Sequence, residues 1–370
     1  MRPIKVKYVN LPLQFESLQG EILPVITAVL KSGDFILGSE VINLEKKLAV
    51  YCGTQYALGV GNATDALILC LKGLGIGLGD EVITAPNSFI ATAGAIVAVG
   101  AIPRFIDVND DFNINTRLIE GAITSRTKGI IPIHLTGRPA NMHAILEIAK
   151  KKKLHVIEDA AQAIGAEYYG KRVGSFGIAG CFSLHPLKNL NASGDGGIIT
   201  TSDAELYEKL VKLRNHGLKN REEAEFWGYN SRLDTLQAAI INIKMNHLEM
   251  WNKRIRDIAS RYQQNLAKIV KVPADQEFEK AVYHTFIIES DQRDQLKSYL
   301  LERGIETKIH YKIPLHLQPA AVDLGYKKGD FPKAEKQAEV ILSLPIYPEL
   351  TDAQVDFVIE QITSFHKKIK

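Results

Sequence analysis

Cysteine, tryptophan, long apolar runs and an excess of charge of either sign are all scarce in this chain. The three cysteines, Cys52, Cys70 and Cys181, show neither paired spacing nor a Cys-x-x-Cys motif. Neither a disulfide framework nor a zinc ribbon is therefore indicated, and a reducing cytoplasm is the expected setting. No segment is long and apolar enough to span a bilayer, and the opening residues, with Pro3, Lys5, Lys7 and Asn10, lack a secretory-signal pattern. The 45 basic residues nearly balance the 42 acidic ones, and a net charge of +3 is too small to argue for nucleic acid or a membrane surface as partner. The ten histidines show no ligand spacing that would anchor a metal.

What is present is a large apolar fraction, 46% of 370 residues, enough for one large core and a smaller one. Short apolar runs at 56–60, 81–85, 103–106, 129–133, 154–158, 180–183 and 197–200 alternate with helical patterns. That alternation predicts an α/β chain with a mainly parallel, seven-stranded sheet covered by helices. A long segment at 235–266, rich in Leu, Ile, Lys and Arg at helical spacing, predicts one linking helix. A strand pattern at 283–288, a helix at 294–303 and a proline-punctuated stretch at 314–348 predict a small α+β domain. The expected division is 1–240 for the large domain and 241–370 for the linking helix and small domain.

In open α/β sheets ligands bind outside the carboxyl ends of the strands, which directs attention to four segments. Asn62, Ala63 and Thr64 open a helix after the first run, where backbone amides suit a phosphate, although an ordinary N-cap uses the same residues. Phe89 follows the second run and suits either a planar ring or the core. Asp159 ends the strand at 154–158; it could hold a pyridine nitrogen protonated, or cap the next helix, and Gln162 lies almost one turn further on. Lys188 follows a strand ending at Ser183 and precedes Gly194, Asp195, Gly196 and Gly197. A lysine amine condenses with aldehydes and can then act as a base, Ser183 offers a hydroxyl for a phosphate, and the glycines permit close backbone approach. His185 suits either substrate contact or packing beside Pro186.

Together these segments resemble the DegT/DnrJ family of sugar aminotransferases, a branch of the fold-type I pyridoxal phosphate enzymes. The resemblance runs from residues 32–36 through the C-terminal domain. It rests on the motifs at 75–83, Ile133-His134-Leu135-Thr136-Gly137, Glu158-Asp159-Ala160-Ala161-Gln162, the Lys188 segment, and 228–234. It implies a fold-type I architecture and pyridoxal 5'-phosphate as cofactor, with pyridoxamine phosphate as the intermediate form. Lys188 then carries the cofactor and shuttles the proton, Asp159 pairs with the pyridine nitrogen, Gln162 sits near the phenolic oxygen and Phe89 stacks on the ring. Ser183 and the amides of Ala63 and Thr64 hold the phosphate, completed by Asn230 from the other subunit of a homodimer with shared active sites.

The implied reaction passes an amino group from L-glutamate to a UDP- or dTDP-linked ketosugar, for an amino sugar of a cell-surface glycan, lipid A or a similar product. Gln162 favours the members that aminate C3; C4 amination is the alternative, and a non-catalytic pyridoxal phosphate-binding regulator is a further one. Substrate contacts are expected from His185, Arg214, His310, Tyr311 and His316. Four residues depart from the family pattern, among them Ala321, where tyrosine is frequent. Ala63 and Asn191 stand where glycine is common, and Lys312 where proline is.

Overall fold

The computed structural model describes residues 3–367. Its strands are β1 (Tyr56–Val60), β2 (Glu81–Thr84), β3 (Ile102–Phe105), β4 (Thr127–Ile130), β5 (His155–Asp159), the two-residue β6 (Glu167–Tyr168) and β7 (Lys171–Arg172), β8 (Ala179–Ser183), β9 (Gly197–Thr201), β10 (Glu279–Lys280), β11 (Phe286–Glu289) and β12 (Ile341–Leu344). Seven of them form one sheet in the order β1-β9-β8-β5-β4-β2-β3. β9 runs antiparallel to both its neighbours and the other pairs are parallel, so the mainly parallel α/β sheet expected from the apolar runs is present. β4 stops at Ile130 instead of continuing to 133, because Pro132 has no N–H to give to a ladder.

The two faces of the sheet follow from strand pleating, which sends neighbouring residues to opposite sides. Ala57, Phe182 and Ile198 share an apolar layer with Leu44 and Leu48 of the helix Ser39–Cys52 and with Ala238 and Ile241 of the helix Thr235–Met245. Their sequence neighbours Leu58, Cys181 and Ile199 share the opposite layer with Leu67 and Leu71 of the helix Ala63–Gly73 and Leu210 of the helix Ala204–Leu213. Burying each Leu, Ile or Phe of these layers contributes roughly 1.5–3 kcal/mol.

The segment at 235–266 is two helices, Thr235–Met245 and Leu248–Leu266, not the single linking helix that its spacing predicts. At the break, Asn246 N and His247 N bond to the carbonyls three residues back, tightening the last turn. The two helices serve different cores, which a continuous pattern of Leu, Ile and Lys conceals. The first packs on the large sheet, whereas the second gives Ile255, Ile258 and Tyr262 to a layer with Phe286, Leu300, Leu342 and Val358. That second layer holds the antiparallel pair β11–β12 and the helices Arg293–Glu302 and Asp352–Lys367. Val6 is buried in it as well, held by Lys5 N and Val6 N donating to Gly304 O at 2.8 and 3.0 Å.

The end of β5 is fixed by a fully buried carboxyl. Glu158 accepts hydrogen bonds from Gly174 N at 2.7 Å, Phe176 N at 2.7 Å and Gly177 N at 2.8 Å, and its Oε2 lies 3.0 Å from His134 Nε2. His134 Nδ1 accepts from Ala140 N at 3.0 Å, which leaves Nε2 as the nitrogen that donates to Glu158. Four donors thus converge on one side chain. Glu158→Gln replaces one acceptor oxygen with an NH2 group facing those donors, and we expect a loss of about 3 kcal/mol. Chemical denaturation of parent and variant measures it; equal midpoints and slopes would contradict this account of the strand end.

Candidate active site

A cleft of about 590 Å³ opens outside the carboxyl ends of β1, β2, β5 and β8. Asn62, Ala63 and Thr64 reach it from the start of the helix Ala63–Gly73, with Asn62 as the N-cap whose side chain accepts from Asp65 N. The N–H groups of a first helical turn have no intrahelical partner, and Ala63 and Thr64 line the cleft, an arrangement that attracts anions. Ala63 begins the helix without positive φ, so the alanine that replaces a common glycine is unstrained. Gly197 instead is needed for close approach: a Cβ there would overlap the Asn62–Ala63 backbone.

Asp159, the last residue of β5, is 6% exposed at the cleft floor. Its Oδ2 accepts from Thr92 Oγ1 at 2.7 Å and its Oδ1 from Ala161 N at 3.2 Å, and Ser88 lies 3.1 Å behind Thr92. Burial raises the Asp159 pKa above the ordinary carboxyl range, against the lowering effect of the Thr92 and Ala161 bonds and of the Lys188 charge. Gln162 is held from two sides, accepting from Thr136 N at 2.7 Å and donating to the Tyr311 hydroxyl at 3.2 Å. Phe89 stands 55% exposed at the cleft edge, its ring centroid 5.8 Å from that of Tyr311.

Lys188 lies in the turn after β8, on the cleft wall with Ser183 and His185. Burial of the amine pushes its pKa down to about 8, an effect only partly opposed by Asp159. Asn191, buried behind it, donates to Lys188 O at 3.1 Å and accepts from Lys244, so the side chain that replaces a common glycine braces the lysine turn. His284 Nε2 lies 3.3 Å from Lys188 Nζ. Burial drives the His310 pKa down to about 4 and raises that of Tyr311 to about 12, so both face the cleft uncharged at neutral pH.

The structure thus brings Ala63, Thr64, Phe89, Asp159, Gln162, Ser183, His185, Lys188, His310 and Tyr311 to one cleft. Two expected substrate contacts, Arg214 and His316, do not line this cleft. Arg214 is buried, donating to Glu45 at 2.5 Å and Gly59 O at 2.8 Å, which ties β1 to the neighbouring helices. His316 is buried against Glu335 at 3.0 Å. Arg214 caps the end of the helix Ala204–Leu213 and His316 sits in a single 3-10 turn, Leu315–Leu317, positions that sequence alone does not separate from ligand contacts. Lys312 is exposed, and Asn230 is exposed outside the cleft of its own chain. Thr92 and His284 were not singled out from the sequence. Thr92 sits inside the segment chosen for Phe89, and His284 enters an otherwise apolar strand pattern, which was the available signal.

The donor set fits a phosphorylated pyridine aldehyde: a partly neutral amine, a buried carboxyl for the ring nitrogen, an aromatic at the edge and a helix N-terminus for the phosphate. The comparisons with known proteins agree. The model of the DegT/DnrJ/EryC1/StrS aminotransferase family matches residues 16–363. A "pleiotropic regulatory protein" of Geobacillus stearothermophilus is 45% identical, over 98% of this chain and 99% of its own. A UDP-N-acetyl-3-dehydro-alpha-D-glucosamine 3-aminotransferase of Acidithiobacillus ferrooxidans is also 45% identical, over 95% of each chain. The solved structure of DesV from S. venezuelae, in complex with a ketimine intermediate, superposes with a TM-score of 0.97 at 41% identity and full coverage of both chains. Other solved neighbours carry pyridoxamine phosphate or are in the pyridoxal phosphate form. By the breadth of that match in sequence and in fold, the chain belongs to the DegT/DnrJ/EryC1/StrS family and is a pyridoxal phosphate-dependent aminotransferase.

Proposed function

We propose that this aminotransferase moves an amino group from L-glutamate to C3 of a nucleotide-linked ketosugar. The observation that carries the chemistry is the pairing of the Lys188 amine and the buried Asp159 carboxyl across one cleft, with a helix N-terminus at its end. The C3 preference is supported by the named activity of the Acidithiobacillus relative and by Gln162, held in place by Thr136 and Tyr311.

Asp159 is read as the partner of the ring nitrogen, Phe89 as cover for the ring, Gln162 as the neighbour of the phenolic oxygen, and Ser183 with the amides of Ala63 and Thr64 as the phosphate site. When bound, pyridoxal phosphate supplies an electron sink for the carbanion left as a proton leaves the amino-bearing carbon. Lys188 Nζ takes that proton and returns it at the other end of the exchange, because a pKa near 8 lets it both accept and release at neutral pH. Tyr311 and Gln162 hold a hydrogen-bonded edge beside the reacting centre, and His185 and His310 are read as sugar contacts. Asn230 is read as a ligand of the partner's phosphate in a homodimer, supported by its exposure beside Trp227, which is 97% exposed. The regulator named for the Geobacillus relative is the weaker reading, since it leaves the Lys188 and Asp159 geometry without a task.

The substrate is tested by assaying UDP- and dTDP-linked 3-keto and 4-keto sugars side by side with glutamate. Amination of the 3-keto compounds is expected, with loss of at least about 1,000-fold in Lys188→Ala; preferred 4-keto turnover would move the site of amination, and normal turnover by the variant would remove Lys188 from the mechanism. Loading of the apoprotein should depend on pH in a set direction. Only the neutral amine attacks an aldehyde, so the initial rate should rise about tenfold per unit up to pH 8 and level off above it. A rate flat from pH 6 to 8, followed by absorbance, would contradict the lowered pKa. Mixing inactive Lys188→Ala and Asn230→Ala subunits should restore activity toward a quarter of the parent's in a randomly reassorted dimer; no recovery on verified subunit exchange would place Asn230 outside the partner's site.

A further inference from the structure

The Lys188 amine and His284 share a wall. Leu187, Lys188, His284 and His310 border both the large cleft and a smaller cavity of about 50 Å³ behind it. His284 Nε2 lies 3.3 Å from Lys188 Nζ, within hydrogen-bond distance. Burial pushes the His284 pKa well below the ordinary value, and Lys188, His310 and His185 push it the same way, so the ring is neutral at neutral pH. A neutral imidazole has one nitrogen that donates and one that accepts.

A neutral primary amine has two N–H groups and one lone pair, and free rotation about its terminal C–N bond points the lone pair in three directions. Only one of these serves attack on an aldehyde or removal of a proton from carbon inside the cleft. Were Nε2 protonated, it would donate to that lone pair and occupy the nucleophile. With Nε2 unprotonated, the ring receives an N–H instead and leaves the lone pair free. Resting on the aminotransferase reading of Lys188, we propose that His284 is a positioning residue whose unprotonated Nε2 accepts an N–H of the Lys188 amine and turns its lone pair into the cleft. Proton storage is not its role, because a ring so reluctant to charge is a poor sink for a proton from an amine.

The test uses the full-length apoprotein and pyridoxal phosphate as the probe. At a pH above 8, where Lys188 is mostly neutral, condensation followed by absorbance should slow about tenfold in His284→Phe, as expected for loss of one orienting hydrogen bond. His284→Gln, which restores an acceptor oxygen, should stay within about threefold of the parent. Equal rates in parent and His284→Phe, or equal slowing in both variants with midpoints of unfolding unchanged, overturn the proposal. Long-range 1H–15N correlation spectra of the parent apoprotein give a second readout that needs no stable variant beyond one for assignment. The His284 Nε2 resonance is expected in the unprotonated range with the proton on Nδ1, and a protonated Nε2 overturns the proposal. Failure of the parent itself to condense would defeat the cofactor reading instead, and the tautomer would still decide the role of His284.

Discussion

The geometry of the cleft hangs on Glu158, a carboxyl that itself faces away from it. Three backbone N–H groups from the turn after β7 and one histidine nitrogen converge on its two oxygens in a fully buried position. Because successive strand residues point to opposite faces, anchoring Glu158 on one side fixes the direction of Asp159 on the other. Ser183 is set by the neighbouring strand, since β8 pairs with β5 through Asp159 and Cys181. A charged-looking dipeptide at a strand end thus divides its labour: one carboxyl holds the frame, and the next meets the ligand.

A single physical cause, removal of water, drives the pKa values in the cleft in opposite directions. It lowers those of Lys188, His284 and His310 and raises those of Asp159 and Tyr311. Each group moves toward its uncharged form. A site built this way loses little by waiting without ligand, and a bound ring carrying its own charge finds carboxyl and amine already placed to respond.

The sheet was legible because seven apolar runs recur between helical patterns, and period-2 burial at Ala57 and Leu58 or Ile198 and Ile199 follows from it. The cleft residues on strand ends and helix starts were legible for the same reason: Asp159, Ser183, Lys188 and Asn62 to Thr64 occupy positions that an α/β topology sends to one edge. Arg214 and His316 were not, since a buried ion pair with Glu45 or Glu335 depends on residues far away in sequence. The break at Asn246 and His247 was hidden too, because Leu and Ile continue at helical spacing across it while the layer they serve changes. His284 was missed because one histidine in a strand pattern carries no mark of the lysine it will meet.

The pairing of Val6 with Ile305, and of Lys5 and Val6 with Gly304, has a bearing on how the molecule is made. Val6 belongs to a core whose other members lie between Ile255 and Phe365, far later in the order of synthesis. On a ribosome the large sheet has all its strands once β9 has emerged, while the opening segment must wait, apolar side chain exposed, for the distant half of its layer. Such long sequence separation makes closure of the smaller core a late event, governed by the arrival of residues 255–365. The lysine turn, whose back wall includes Ile346, Tyr347 and Glu349 as well as His284, is therefore completed only after those late residues have joined it.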